Sequence, residues 1–301
     1  MKSLLLIALA FHSLFSFEYN LVPKKINDQI YCFFGKPQIM NTHNNGDITN
    51  SCFVDLGKSY LVIDSGPSYK YARDAHKAMK SIKNQKVSYV INTHIHDDHW
   101  LGNGYYKENG ATIIGAKIFA NTPNATPIRM QQFISKEAFD KTEEVFPTKH
   151  IEGVQTLNLQ GVDVELTSYD KKIHTDNDMI VFIPSQSAVF AGDLVFNERV
   201  LSLRDGDINN WIDALNEIDA KKSKFIIGGH GNLYLSDSTK MTKRYLEAIK
   251  EFVLESIDMG LDITDTLAKS RMSEFEHLKL YEEMHTKNIE TAYRTLEWGD
   301  E

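Results

Sequence analysis

The chain has 301 residues, 42% of them hydrophobic, enough to bury a sizeable core in one large domain or two ordinary ones. Its formal net charge of -8 and pI near 5.8, with lysines scattered among acids, exclude the basic stripe of a nucleic-acid binder. Charged residues at 25% and aromatics at 11% fit a soluble globular protein.

Met1 and Lys2 open the chain with a positive charge, Leu4 to Phe11 form an unbroken apolar run, and Ser16 is small. That order predicts a secretory signal peptide over residues 1–16, and the run is too short to span a bilayer. The mature protein is therefore expected in a periplasm or outside the cell, without stable membrane insertion. Cys32 and Cys52 lie too far apart for a CxxC motif. In an oxidising compartment they can close one disulfide, or remain two buried thiols, and the sequence leaves both open.

Strands are predicted at residues 31–34, 52–56 and 60–64, around a polar, turn-rich segment at 41–50. Helix spacing over 69–82 leads into strand 87–92, followed by strand 112–114 and a mostly helical stretch at 129–145. Residues 162–167, 178–183 and 188–191 read as strands rich in β-branched and aromatic side chains. Ile208, Trp211, Leu215 and Ile218 mark one helix face, and 225–227 is a short apolar strand. Leu246, Ile249, Val253 and Ile257 form a second stripe, with two further helical segments reaching Trp298. This pattern predicts an α/β (α+β) domain over 17–238 and a helical extension over 239–301 packed on it.

The chemistry concentrates in Thr93-His94-Ile95-His96-Asp97-Asp98-His99, directly after the apolar strand. In a strand-to-helix loop, alternate residues can converge on one point, and imidazoles with carboxylates suit a borderline divalent ion. A chance match to H-x-H-x-D-H is expected about once in a thousand chains of this composition. One loop cannot complete two coordination shells. Three further candidates flank apolar strands: His174, Asp193 after Gly192, and His230 after Gly228-Gly229.

These motifs resemble the metallo-β-lactamase superfamily over residues 28 to 235, beginning with Val62-Ile63-Asp64-Ser65-Gly66. The resemblance implies a four-layer αββα sandwich holding two zinc ions, with iron or manganese as alternatives. It implies His94, His96 and His174 at the first metal, Asp98, His99 and His230 at the second, and Asp193 bridging. Asp64 would orient a ligand or the metal loop. Asp98 would also be the catalytic residue, steering the nucleophile and passing a proton to the leaving group.

A narrower similarity is to the quinoprotein-relay and sulfur-oxidation-cluster zinc metallohydrolases. It is carried by His99-Trp100-Leu101-Gly102-Asn103, Ile173 to Asp178, Gly192 to Phe196, Asp205-Gly206-Asp207 and the late Asn288, Tyr293 and Glu297. The implied activity is hydrolysis of a carbonyl ester, thioester, lactone or amide in a small-molecule substrate. The alternatives are a lactam hydrolase, a persulfide dioxygenase-like oxidoreductase with one iron, and a non-catalytic periplasmic accessory protein. Well-known class B β-lactamases carry Cys where this chain has Asp193, which weighs against a lactam. Trp100, Asn103, Asn177, Asn197 and Arg199 lie near the metal-bearing loops as candidate substrate contacts. The sequence specifies no oligomeric state.

Overall fold

The computed structural model describes residues 17–121 and 129–298, so the signal peptide expected over 1–16 lies outside the described residues. The first sheet holds β1 (Lys24–Lys25), β2 (Ile30–Phe33), β3 (Ser51–Asp55), β4 (Tyr60–Ile63), β5 (Val87–Ile91), β6 (Thr112–Ala116) and β7 (Lys149–Ile151), in that spatial order. Pairing is antiparallel from β1 to β4 and parallel from β4 to β7. The second sheet runs β12 (Phe225–His230), β11 (Ala188–Phe196), β10 (Met179–Ile183), β9 (Val162–Ser168), β8 (Gly153–Leu159). There only β11 and β12 are parallel.

Apolar side chains sort into three layers. Ile30, Leu61, Ile91 and Ile114 from one sheet meet Leu166, Val181, Phe190 and Ile227 from the other, which makes the centre of a sandwich. Helix α1 (Tyr69–Ile82), started by Ser68 accepting from the Tyr71 amide, turns Tyr71, Ala72, Ala75 and Met79 onto the outer face of the first sheet. Helix α7 (Ile208–Ala220) covers the second sheet with Trp211, Leu215 and Ile218. Helices α8 (Thr239–Asp258), α9 (Ile263–Ala268) and α10 (Tyr281–Trp298) join that layer through Leu246, Ile249, Val253, Leu267, Ile289 and Tyr293. The four-layer αββα arrangement with C-terminal helices is therefore the fold. Among the described residues no helix is long and apolar enough to cross a membrane.

Local structure departs from the sequence expectation in several places. Strand β1 and the short helices α3 (Asn103–Glu108) and α4 (Lys117–Asn121) lie outside the predicted elements. The stretch expected to be mostly helical over 129–145 holds only α5 (Met130–Phe133) and α6 (Lys136–Phe139). Ser135, extended, caps the second, and Lys141 at φ 64° turns the chain away after it. Strands β7 and β8 escape the apolar pattern because they carry exposed polar residues; in β8 only Leu159 is fully buried.

Cys32 and Cys52 face each other directly on β2 and β3, with Cα atoms 4.1 Å apart, and form a disulfide in the inter-sheet core. The bridge spans a sequence separation of 20, a loop whose closure stabilises by about 3 kcal/mol. Chemical denaturation of the Cys32→Ala/Cys52→Ala protein is expected to show a loss of about that size, and equal stability would contradict it.

Candidate metal centre

The parallel strand pairs β4–β5 and β11–β12 deliver their C-terminal ends to one place. Past Ile91 the chain leaves β5 through Asn92 and Thr93, reaches His94, and uses His96 as the N-cap of α2 (Asp97–Trp100). Asp98 and His99 thus occupy a first helical turn. The Thr93 carbonyl accepts from Met179 N at 2.8 Å, joining this loop to the sheet that carries the other candidates. His174 lies between β9 and β10. Its loop is folded around Asp178, which takes the amides of His174 and Thr175 at 2.8 and 2.7 Å. Asp193 stands inside β11, so its Gly-Asp pair is a strand irregularity and no turn: the register with β12 shifts around Gly192, which has φ 51°. A side chain at Gly192 would place Cβ 2.5 Å from Thr93 Oγ1. His230 closes β12.

The seven residues form two adjoining groups, His94, His96, His174 and Asp193, then Asp98, His99 and His230, each with ligand atoms within 4.8 Å of one another. All seven are buried. Asp193 faces both groups: Oδ2 lies 3.7 Å from His94 Nε2, 3.4 Å from His174 Nε2 and 3.2 Å from His230 Nε2, and Oδ1 lies 3.1 Å from His99 Nε2. Asp98 Oδ2 lies 3.7 Å from His99 Nε2 and 3.6 Å from His230 Nε2, and accepts from Thr49 Oγ1.

The outward nitrogens explain why the inward ones carry lone pairs. His230 Nδ1 donates to the Ile48 carbonyl at 2.7 Å. His99 Nδ1 donates to Asp64 Oδ2 at 2.8 Å, and His96 Nε2 faces Asp205 Oδ2 at 3.2 Å. Thr93 Oγ1 gives its hydrogen to Asp64 Oδ2 and so accepts from His94 Nδ1 at 3.1 Å. These partners fix the tautomers. His94 Nε2 is then a buried nitrogen with no hydrogen-bond partner, while His96 Nδ1 and His174 Nε2 point at each other at 2.9 Å. Five imidazoles and two carboxylates converging in this way fit a dinuclear site for borderline divalent ions.

The electrostatics agree. Burial alone would raise Asp98, but His99 and His230 beside it bring its pKa down to about 2. Asp193, likewise buried, is held well below the carboxylate range by His230, His99 and His94. Burial keeps His94 and His96 below the usual imidazole value, and therefore neutral at pH 7. Against its burial, His99 is raised by Asp193, Asp98 and Asp64, three carboxylates that call for a cation among them. A metal ion answers that demand as a proton does.

Asp64, at φ 56° just past β4, orients the loop: it accepts from Thr93 N and Oγ1, both at 2.8 Å, as well as from His99. Of the five candidate substrate contacts, Arg199 is the one that lines the cavity over the cluster. Trp100 packs against Phe119 and Phe146 with Nε1 on the Ile95 carbonyl, and Asn103 joins Ser65, Asn92 and the Val145 carbonyl. Asn177 is buried in the His174 loop beside Thr175, and Asn197 is fully buried.

Sequence reading missed Thr49, Asp205 and the cavity walls Ile39, Met40, Arg129 and Phe133. Only the Asp205-Gly206-Asp207 run carried a signal. Asn288 of α10 explains the late motif: it accepts from Leu203 N and donates to the Leu201 carbonyl, both at 2.9 Å. The C-terminal helices thereby fix the loop bearing Arg199, Arg204 and Asp205.

Asp47, in the wall next to Ile48, is pushed by burial up to about 6, with Lys36 at 3.7 Å opposing. A carboxyl raised in the folded state binds its proton more tightly there, so stability falls as pH rises from about 4 to 6. Asp47→Asn is expected to stabilise by about 1–3 kcal/mol at pH 7 and hardly at all at pH 4. Urea titrations at the two pH values check this, and an equal effect at both would contradict it.

Two adjoining groups of buried metal-type donors at one edge of an αββα sandwich define the class. The model of the metallo-beta-lactamase superfamily matches residues 44–230. The chain belongs to that superfamily. It is 20% identical over 190 residues to the metallo-beta-lactamase type 2 of Bacillus cereus, spanning 62% of this chain and 68% of that one. It is 20% identical over 224 residues to a beta-lactamase-like protein 2 homolog of Caenorhabditis elegans, spanning 69% of each. Among solved structures, a metallo-beta-lactamase from Pontibacter korlensis superposes with a TM-score of 0.61 at 18% identity, covering 75% of this chain and 99% of that one. A double mutant of the sec-alkyl sulfatase PisA1 gives 0.69 at 14% identity, covering 91% of this chain and 50% of that one. The last likeness extends in fold into the C-terminal helices, beyond the family match.

Proposed function

We propose that this protein is a zinc-dependent hydrolase of a small substrate bearing a carbonyl ester, thioester, lactone or amide. The observation that carries the reading is Asp193, whose carboxylate faces both groups of metal-type donors under an open cavity, Oδ2 towards His94, His174 and His230 and Oδ1 towards His99. His94, His96 and His174 would hold one ion, Asp98, His99 and His230 the other, with Asp193 shared. Bound divalent zinc supplies Lewis acidity, polarising a carbonyl and making water acidic near neutral pH.

The remaining work falls to the chain. Asp98 lines the cavity, and Thr49 and the imidazoles of His99 and His230 engage its Oδ2. Oδ1 is left to take a proton from the attacking water and pass it to the leaving group. Asp64 and Asp205 keep His99 and His96 turned inward while this happens. Asp193 in place of cysteine favours acyl substrates other than lactams. The complete second group of donors favours hydrolysis over mononuclear iron oxidation.

Elemental analysis of protein purified without chelator, with a panel of esters, thioesters, lactones, amides and lactams, tests the reading. Close to two zinc ions per chain and turnover of at least one acyl class are expected. One tightly held iron with oxygen consumption on a persulfide would overturn it, as would no turnover with full metal.

A further inference from the structure

Asp97 is the acidic residue of the His94–His99 loop that belongs to neither donor group, yet it is only 1% exposed. His96 and Asp98 on either side of it line the cavity. Asp97 turns the other way, because successive residues at a helix start do not share a face. Its Oδ2 accepts from Arg129 N and Met130 N, both at 2.7 Å. These are the amides that open α5, a helix whose own N-cap residue supplies no side-chain acceptor. Oδ1 has no hydrogen-bond partner and lies 3.6 Å from Arg129 Nη2.

A helix of four residues does not stand by itself, so its surroundings decide where α5 sits. Asp97 takes its start. Met130 is fully buried and packs where Gly46 leaves room: a Cβ at Gly46 would lie 2.5 Å from Met130 Sδ. Past the helix end, Ser135 N donates to Asn45 Oδ1 at 2.9 Å. Of these ties, only the one from Asp97 comes from the loop that carries His94, His96, Asp98 and His99. Both of its bonds end on a buried carboxylate oxygen, which makes them the strong kind. What α5 brings to the cavity wall is Arg129 and Phe133, the latter a large apolar ring left 45% exposed.

We infer that Asp97 is a positioning residue: it ties α5 to the donor loop so that Phe133 stands at a fixed place beside the two donor groups and meets an apolar arm of the substrate. The word substrate rests on the hydrolase reading, whereas the tie and the contact are testable by exchange and binding alone.

The test uses the zinc-loaded protein with its Asp97→Ala, Asp97→Asn and Phe133→Ala variants and the Asp97→Ala/Phe133→Ala double variant. Amide hydrogen exchange at Arg129 and Met130 is expected to quicken about tenfold to a hundredfold in Asp97→Ala, with zinc content unchanged. In Asp97→Asn the carboxamide oxygen can accept both amides, and most of the protection should return. Calorimetry with two thiols that anchor on zinc reads the contact. An arylalkyl thiol should bind about tenfold more weakly to Asp97→Ala, and a two-carbon thiol equally well to both proteins. In the Phe133→Ala background the Asp97→Ala change should cost no further affinity, because the two residues act as one unit. Unchanged exchange in Asp97→Ala would overturn the inference, as would zinc lost from that variant, which would mean that the carboxylate serves its own loop. A full tenfold effect persisting without Phe133 would overturn it too. Turnover of nothing on the acyl panel, with the exchange and binding results as expected, would sink the hydrolase reading and leave the tie standing.

Discussion

Replacing Asp193 by alanine is expected to strip most of the metal from the protein and lower any turnover by more than about 100-fold. The loss of a partner outside the ligand set already costs ten- to a hundredfold in metalloenzymes, and Asp193 is in the set itself. Its carboxylate lies within 3.7 Å of four of the five histidine nitrogens, across both groups. Without it Asp98 alone remains to balance the positive charge of two ions, and His99 loses the largest of the attractions that hold positive charge beside it. Both positions should therefore be depleted. Metal per chain after dialysis, read with a circular dichroism spectrum to show the fold intact, decides the matter. Two retained ions with activity within tenfold of the parent would show that Asp193 is no ligand.

A comparable loss is expected from Gly229→Ala, although glycine carries no chemistry. A Cβ there would stand 2.0 Å from Asp193 Oδ1, a contact that no packed structure tolerates, and 3.0 Å from His99 Cε1. The strand cannot retreat. Asn50 holds it through its own amide on the Gly229 carbonyl at 2.7 Å, and through its side-chain amide on the Gly228 and Gly231 carbonyls at 2.8 Å. The carboxylate must move instead, and the two donor groups separate. Metal content should fall with turnover, and stability should drop by about 1–3 kcal/mol as in other overpacked cores. Gly110→Ala is the control. It has φ 82° and open space around it, so it carries backbone strain and no collision. If both variants keep their metal equally well, the collision at Gly229 has no part in shaping the site.

The candidate metal donors were legible because they follow local rules. His94, His96, Asp98 and His99 share one loop after an apolar strand, and their spacing alone marks them. His174, Asp193 and His230 each adjoin a run of apolar residues that had to be a buried strand, which narrows where their side chains can go. The polar edge strands were illegible for the converse reason: with both faces wet, β8 has no burial alternation to read.

What the sequence determined by itself was the class of fold, the candidate metal donors and the strands that carry them, since hydrophobic periodicity and donor chemistry are properties of short segments. Tertiary structure alone decided what meets across the sheets. Cys32 and Cys52 were free to pair or not until β2 and β3 adopted the register that sets them opposite, where a slip of one residue would have sent one of them to the other face. Thr49 reaches Asp98 from 49 residues away, Asp205 reaches His96 from 109 and Arg199 reaches His230 from 31, brought there by loops whose course depends on packing and on Asn288 in the last helix. Such long-range neighbours leave no local pattern, because nothing in a segment's own periodicity records which distant chain it will touch.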